Sequence, residues 1–236
     1  MTAGIALHSV TKTYHRAGEV LRVLDGLELQ IQGGTFYALM GPSGSGKTTL
    51  LNLVGGLDHA DSGTVEVGGT ELGALSGGDL AAWRARNVGF VFQGFNLLPV
   101  LTARENVMLP LLLAPMSGAQ RREQAERALQ LVGLQDRMHH KPRELSGGQE
   151  QRVAISRAIA TDPEVILADE PTGDLDRTTA SQVLDLLQRL NRELQKTILM
   201  VTHDPQAATY ADKVIHLDKG KLGRIDDNRT AAAARS

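Results

Sequence analysis

The chain has 236 residues, 42% apolar and 22% charged, which is enough to bury a full core and too apolar for a disordered chain. Lys and Arg total 25 against 27 Asp and Glu, so no net basic field exists to gather nucleic acid or anionic lipid, and one Trp, three Tyr and four Phe leave little for base stacking. The absence of Cys excludes a disulfide scaffold, thiolate catalysis and Cys-ligated zinc, and fits a reducing compartment.

The N-terminus has early polar residues and predicts no secretory signal. Ile5, Leu7 and Val10 have strand spacing, and Leu27, Leu29 and Ile31 alternate, with a loop predicted at 15–19 around Gly18. A strand over 35–40 runs into a glycine-rich turn. A helix follows and ends at Gly55 and Gly56. Val65 and Val67 around Glu66 predict a short half-buried strand pair. The longest apolar stretch, 107–116, carries Pro110 and Pro115 and is too short to span a bilayer, so work at a membrane would need spanning helices from another chain.

From Ser117, residues Ala125, Ala128, Leu129 and Val132 share one helical face, with Gly133 as the stop, and the charges of 121–127 form its solvated side. A second helix is predicted to begin at Ser146, and a buried strand over 165–168. A helix over 178–194 should bury Val183, Leu187, Leu190 and Leu194 before a last buried strand at 198–201. Strands alternating with helices predict an α/β fold with a mainly parallel sheet covered on both faces. The tail at 229–236 is low in complexity and is expected to be disordered.

Gly41, Pro42, Ser43, Gly44, Ser45, Gly46, Lys47 and Thr48 match G-x-x-x-x-G-K-[ST] between a predicted strand and a predicted helix. The glycines let successive N–H groups curl toward phosphate oxygens, and the helix that follows aims its positive end at the same charge. Lys47 is placed for the β- and γ-phosphates, Thr48 offers a hydroxyl to Mg²⁺, and Thr49 is a further phosphate contact. The buried strand at 165–168 ends in Asp169 and Glu170. Asp169 is the natural partner of Mg²⁺, and Glu170 is placed to act on attacking water as base or positioner.

Ser146 is a good N-cap. The paired Gly147 and Gly148 behind it are costly at a helix start unless backbone must approach something closely. The simplest account is that two copies share ATP, the phosphate loop of one facing this segment of the other.

In their order, GPSGSGKT, FVFQ, LSGGQ, VILADE, GDLD and TH resemble the nucleotide-binding subunit of an ATP-binding cassette (ABC) transporter, over residues 5 to about 222. The resemblance implies a P-loop NTPase with a RecA-like core, an antiparallel β subdomain and a helical insertion at about 94–160, as one domain over 1–228. It implies that Tyr14 stacks on adenine, and that Gln93 touches Mg²⁺ and the attacking water. Ser146, Gly147, Gly148 and Gln149 would contact the γ-phosphate in the partner's site, Asp176 would lie at the dimer seam, and His203 would hold the γ-phosphate and the water. The cofactors would be ATP and Mg²⁺, and the catalytic residues Lys47, Gln93, Glu170 and His203. Two departures stand out: Asp174 adds a charge where many cassettes read SALD, and Glu150 follows the signature.

GGLD at 55–58, SGTVEVGG and the run from Val88 resemble the lipoprotein-releasing (LolD), macrolide-efflux (MacB) and division-associated (FtsE) subgroup. That implies a second copy of the chain and a membrane permease with a large extracytoplasmic domain as partners, no nucleic acid, and a peripheral place on the cytoplasmic face of the inner or plasma membrane. Phe95, Leu97, Leu98, Val100 and Leu101 would suit either a groove for the permease or packing within the helical part. A small-metabolite kinase would leave LSGGQ unexplained. A DNA-repair cassette needs a coiled coil, for which the roughly fifty residues between Gln93 and Leu145 show no heptads. A non-transporting cassette that signals through a permease-like protein to cell-wall hydrolases would share the same catalytic core.

Overall fold

A computed structural model describes residues 4–16 and 19–229. The alternating residues at the start form an antiparallel hairpin of β1 (Ile5–Arg16) and β2 (Glu19–Ile31), in which Ile5, Leu7, Leu27, Leu29 and Ile31 are buried. Part of the loop expected at 15–19 is strand instead: His15 pairs with Val20 and Arg16 with Glu19. Residues 17 and 18 lie outside the described residues. After β3 (Phe36–Met40) and α1 (Lys47–Val54), the strands β4 (Ser62–Val67) and β5 (Thr70–Glu71) complete a four-stranded sheet in the order β2-β1-β4-β5.

The second sheet is assembled from the rest of the chain. In order come α2 (Gly77–Asn87), β6 (Val88–Phe92), α3 (Ala103–Met108), α4 (Gly118–Leu131), α5 (Gly147–Ile159), β7 (Val165–Asp169) and α6 (Arg177–Leu194). Then follow β8 (Thr197–Val201), α7 (Pro205–Ala208), β9 (Lys213–Asp218) and β10 (Lys221–Asp227). Six strands pair in the order β10-β9-β3-β8-β7-β6, parallel throughout except for the β9–β10 hairpin.

Successive side chains on a strand point to opposite faces, so β3, β7 and β8 feed two cores. Ala38, Ile166, Ala168, Ile198 and Met200 pack with α3, α4, α5 and α6. Tyr37, Leu39, Leu167, Leu199 and Val201 pack on the other side with α1, α2 and the antiparallel sheet. This arrangement sets the carboxyl ends of β3, β7 and β8 side by side, which is where an open α/β sheet presents its site.

The expected burial of Leu194 is corrected, and the alternatives for the run after Gln93 are both met. Leu194 is 43% exposed, because α6 ends there and Gln195 turns the chain at φ 53 toward β8. The apolar run after Gln93 divides: Leu97 packs on the core, while Leu98 and Val100 point to solvent at 47% and 72% exposure. Asn106, fully buried, holds this loop with bonds to the carbonyls of Leu98, Leu101 and Thr102 and from the N–H of Leu98. Arg229 is placed, its N–H donating to Asp227, while residues 230–236 of the expected tail lie outside the described residues. Among the described residues no helix is long and apolar enough to cross a membrane.

Candidate functional site

The loop from Gly41 to Gly46 joins β3 to α1 at the carboxyl edge of the sheet. Gly46 sits at φ 102, where a Cβ would lie 2.8 Å from Leu24 Cδ2 and 2.9 Å from Val23 O, so only glycine lets β2 come this close. The turn is braced from behind by the C-terminal hairpin, since Gly220 N–H donates to Ser45 O at 3.1 Å and Asp25 N–H to Gly220 O at 3.2 Å. Lys47 Nζ donates to Gly41 O and Pro42 O, both at 2.9 Å, which holds the ammonium over the loop at the head of α1. Ser45 is buried, and its Oγ has no partner among the described residues.

A cleft of about 480 Å³ opens above this loop. Its walls are Ser43, Gly44, Lys47, Thr48 and Thr49 on one side and Glu170 and His203 on the other. Glycine-rich backbone, a helix N-terminus and a lysine are the donor set that a polyphosphate requires, so the residues present fit ATP. Leu21 and Val23 of β2 also line the cleft. Sequence reading missed both, and the signal was available only as apolar residues, Leu21 58% exposed, on a hairpin strand.

At the end of β7, Asp169 Oδ2 accepts from Thr48 Oγ1 at 3.4 Å. Burial pushes the Asp169 carboxyl above its ordinary range, the Thr48 hydroxyl opposes this, and the charge on Glu170 adds to it. Among the described residues no group of three or more His, Cys, Asp or Glu could hold a metal. One hydroxyl beside one carboxylate instead suits Mg²⁺, which keeps water and substrate oxygens as most of its ligands. The raised value means that the folded state holds the Asp169 proton more tightly than the unfolded chain does. Ionisation therefore costs stability at neutral pH, and the cost vanishes below the ordinary carboxylate range. Asp169→Asn should consequently melt higher than the native chain at neutral pH, with the gap closing in acid, while ATP turnover falls. Equal melting curves at neutral pH would contradict the burial penalty.

Glu170 and His203, which come from the ends of two adjacent strands, are in contact: His203 Nδ1 lies 2.9 Å from Glu170 Oε2. The pair stands between the phosphate-loop cleft and a second one of about 390 Å³, lined by Gly173, Leu175, Arg177 and Asp204 among others. Glu170 holds a left-handed backbone at φ 47, a strained conformation for a non-glycine residue.

The other site residues from the sequence are dispersed. Tyr14, 37% exposed, pairs in register with Leu21 and so stands next to the cleft wall, and its hydroxyl donates to Asp58 Oδ2 at 2.7 Å. Burial raises the Tyr14 pKa, and the bond to Asp58 adds to the rise. Asp58 also accepts from Lys12 Nζ at 2.7 Å, and although burial works to raise its pKa, the bonds from Lys12, Tyr14 and His59 hold it below the usual range. Gln93 is exposed, and its amide donates to Asp174 Oδ1 at 2.7 Å, so the extra acid of GDLD contacts the glutamine directly.

Ser146, Gly147, Gly148, Gln149 and Asp176 form a separate cluster that does not line the cleft. Ser146 caps α5 in a capping box with Gln149, and Asp176 caps α6, accepting from Thr178 N, Thr179 N and Thr179 Oγ1. Those bonds, the Thr179 hydroxyl first, hold Asp176 below the usual carboxylate range. A Cβ on Gly148 would meet Thr179 Cγ2 at 2.2 Å, so the packing of α5 on α6 already demands one of the two glycines.

Comparison with known proteins matches residues 24–173 to the ABC transporter family. The chain is 46% identical over 229 residues to an uncharacterized ABC transporter ATP-binding protein, MJ0796, of Methanocaldococcus jannaschii, covering 95% of this chain and 97% of that protein. It is 45% identical over 213 residues to the lipoprotein-releasing system ATP-binding protein LolD of Chromohalobacter salexigens, covering 90% of each. It is also 45% identical over 235 residues to the macrolide export ATP-binding/permease protein MacB of Rhodopirellula baltica, where it spans 34% of that longer protein. A dimeric structure of the post-hydrolysis state of MJ0796, bound to ADP and Pi, superposes with a TM-score of 0.87 at 44% identity over 95% of this chain and 99% of that one. With its phosphate loop, strand-end carboxylates and two-sheet α/β architecture, the chain belongs to the ABC transporter family, as one of its ATPases.

Proposed function

We propose that this chain, acting as one domain over 1–228 with a helical part at about 94–160, is the Mg–ATP-driven subunit of a transporter of the lipoprotein-release or efflux type. The observation that carries the reading is the division of the site. Lys47, Thr48, Glu170 and His203 face one cleft, while the Ser146–Gln149 segment caps a different helix and stays outside it. A second copy, related head to tail, would bring that segment and Asp176 onto ATP held by the first. The dimeric MJ0796 structure and the LolD and MacB relatives support this reading.

In this mechanism Lys47 and the N–H groups of the phosphate loop bind and orient the β- and γ-phosphates, and Leu21, Val23 and Tyr14 hold the base end. Thr48 and Asp169 would hold Mg²⁺, Gln93 would join them in the role that the resemblance implies, and the ion would supply charge neutralisation on the phosphates. Glu170 takes a proton from the attacking water while His203, bonded to it, fixes its orientation. Positioning and charge account for most of the rate, as expected for phosphoryl transfer.

The permease would dock on the groove formed by Leu57, Ala81, Ala85, Phe90, Pro110 and Leu113, of which Leu57 and Leu113 are 49% and 76% exposed. It would carry a large extracytoplasmic domain and hold the chain at the cytoplasmic face of the membrane. The test is a detergent pull-down from source membranes with tagged Glu170→Gln chain and Mg–ATP. A co-purifying permease with such a domain is the expected result. If no membrane-embedded protein is recovered while the ATP dimer forms, the transporter reading fails and the ATPase remains.

A further inference from the structure

Gln151 is fully buried near the start of α5, two residues after the Ser146–Gln149 capping box. Its Nε2 donates to two carbonyls, Pro171 O and, at 3.3 Å, Phe92 O. Phe92 immediately precedes Gln93, and Pro171 immediately follows Glu170. One amide therefore grips the backbone on which both residues are mounted. Its Oε1 has no partner among the described residues, an unfavourable state for a buried acceptor. An apolar side chain would avoid that cost only by removing the donor that Pro171 O and Phe92 O now share.

The grip falls where the backbone needs it. Glu170 is strained at φ 47, and its turn is held by Glu170 N–H to Val201 O at 3.0 Å and Gly173 N–H to Glu170 O at 3.0 Å. Pro171 has no N–H, so its carbonyl is the one backbone hydrogen-bonding group by which the turn can be held at that residue. Further along the same helix, Arg157 donates to Phe95 O at 2.8 Å and to Asn96 O. Phe95 and Asn96 are left-handed as well, at φ 56 and 52. One rigid helix thus pins both sides of Gln93 and the turn behind Glu170.

We infer that Gln151 is a positioning residue that transmits what binds at the head of α5 to Gln93 and Glu170 of the same chain, and so couples the two ATP sites of the dimer. The inference rests on the two-copy reading above. ATP of one copy engages Ser146–Gln149 of the other, α5 shifts as a body, and Gln151 carries the shift to that copy's own water-handling carboxylate.

The test uses the full chain with Gln151→Met, which keeps length and loses the donor. ATP affinity of the isolated chain should stay near native, kcat should fall about tenfold to a hundredfold, and the dependence of turnover on ATP should lose its sigmoid form. Added to Glu170→Gln, the change should still allow the ATP dimer to form, since the head of α5 is untouched. Native kcat with a native sigmoid overturns the inference, as does a parallel fall in ATP affinity, dimer formation and melting temperature. Should Gln151→Met not fold, Arg157→Lys replaces it, removing the fork on Phe95 and Asn96, and the same split between kept affinity and lowered kcat is expected. An unchanged kcat there overturns the inference. If the native chain shows no sigmoid and Glu170→Gln forms no dimer, the two-copy reading itself has failed.

Discussion

Glu170→Gln is expected to lower ATP turnover by about 10²- to 10⁴-fold while leaving ATP affinity near native. The carboxylate faces the cleft opposite Lys47 and Thr48, and it touches His203 rather than the phosphate loop. Glutamine has the same shape and can still accept from His203 through its carbonyl, so the cleft keeps its form. It cannot take a proton from water. Removing a negative charge beside the triphosphate also cannot weaken ATP binding. The bound state therefore persists, and Mg–ATP should trap a dimer visible by size-exclusion chromatography. Phosphate release, ATP titration and elution volume check the three parts separately. Native turnover would remove Glu170 from the mechanism.

Lys47→Ala should behave differently, because the lysine acts before and during the reaction. Its ammonium bonds the carbonyls of Gly41 and Pro42 and so stays over the loop. A charge-assisted hydrogen bond is worth about 1.5–3 kcal/mol, so ATP affinity should fall about 10- to 100-fold and turnover should fall with it. Folding should be little affected, since water can reach the freed carbonyls of a loop whose Pro42, Ser43 and Gly44 are exposed. The two variants thus separate binding from chemistry: one loses turnover alone, the other loses both. Unchanged ATP titrations and unchanged hydrolysis in Lys47→Ala would contradict the assignment.

Much of the fold was legible along the chain. The strands β3, β7 and β8 are continuous apolar runs, as strands buried on both faces must be, and α4, α5 and α6 announce themselves by caps and spacing. Other elements carried no such signal. Helix α2 buries only Leu80 and Trp83 and begins with two glycines, while β10 has no buried residue because it is an edge strand. The turn at Gly220, which joins it to β9, nevertheless braces Ser45 in the phosphate loop.

The site divides along the same line. Sequence alone determined the phosphate loop, the strand-end acids Asp169 and Glu170, and Ser146 as a helix cap. Each of these depends on residues within a few positions of one another, whose conformational demands are local. Only the tertiary structure decided that Leu21 and Val23 wall the cleft, that Asp58 holds Tyr14, that Asp174 holds Gln93, and that Gln151 grips the supports of Gln93 and Glu170. Those contacts join residues 44 positions apart for Tyr14 and Asp58, 81 for Gln93 and Asp174, and 59 for Gln151 and Phe92. No local pattern encodes them. They exist because sheet order and helix packing bring distant backbone together and leave its polar groups to be satisfied by whichever side chain is there.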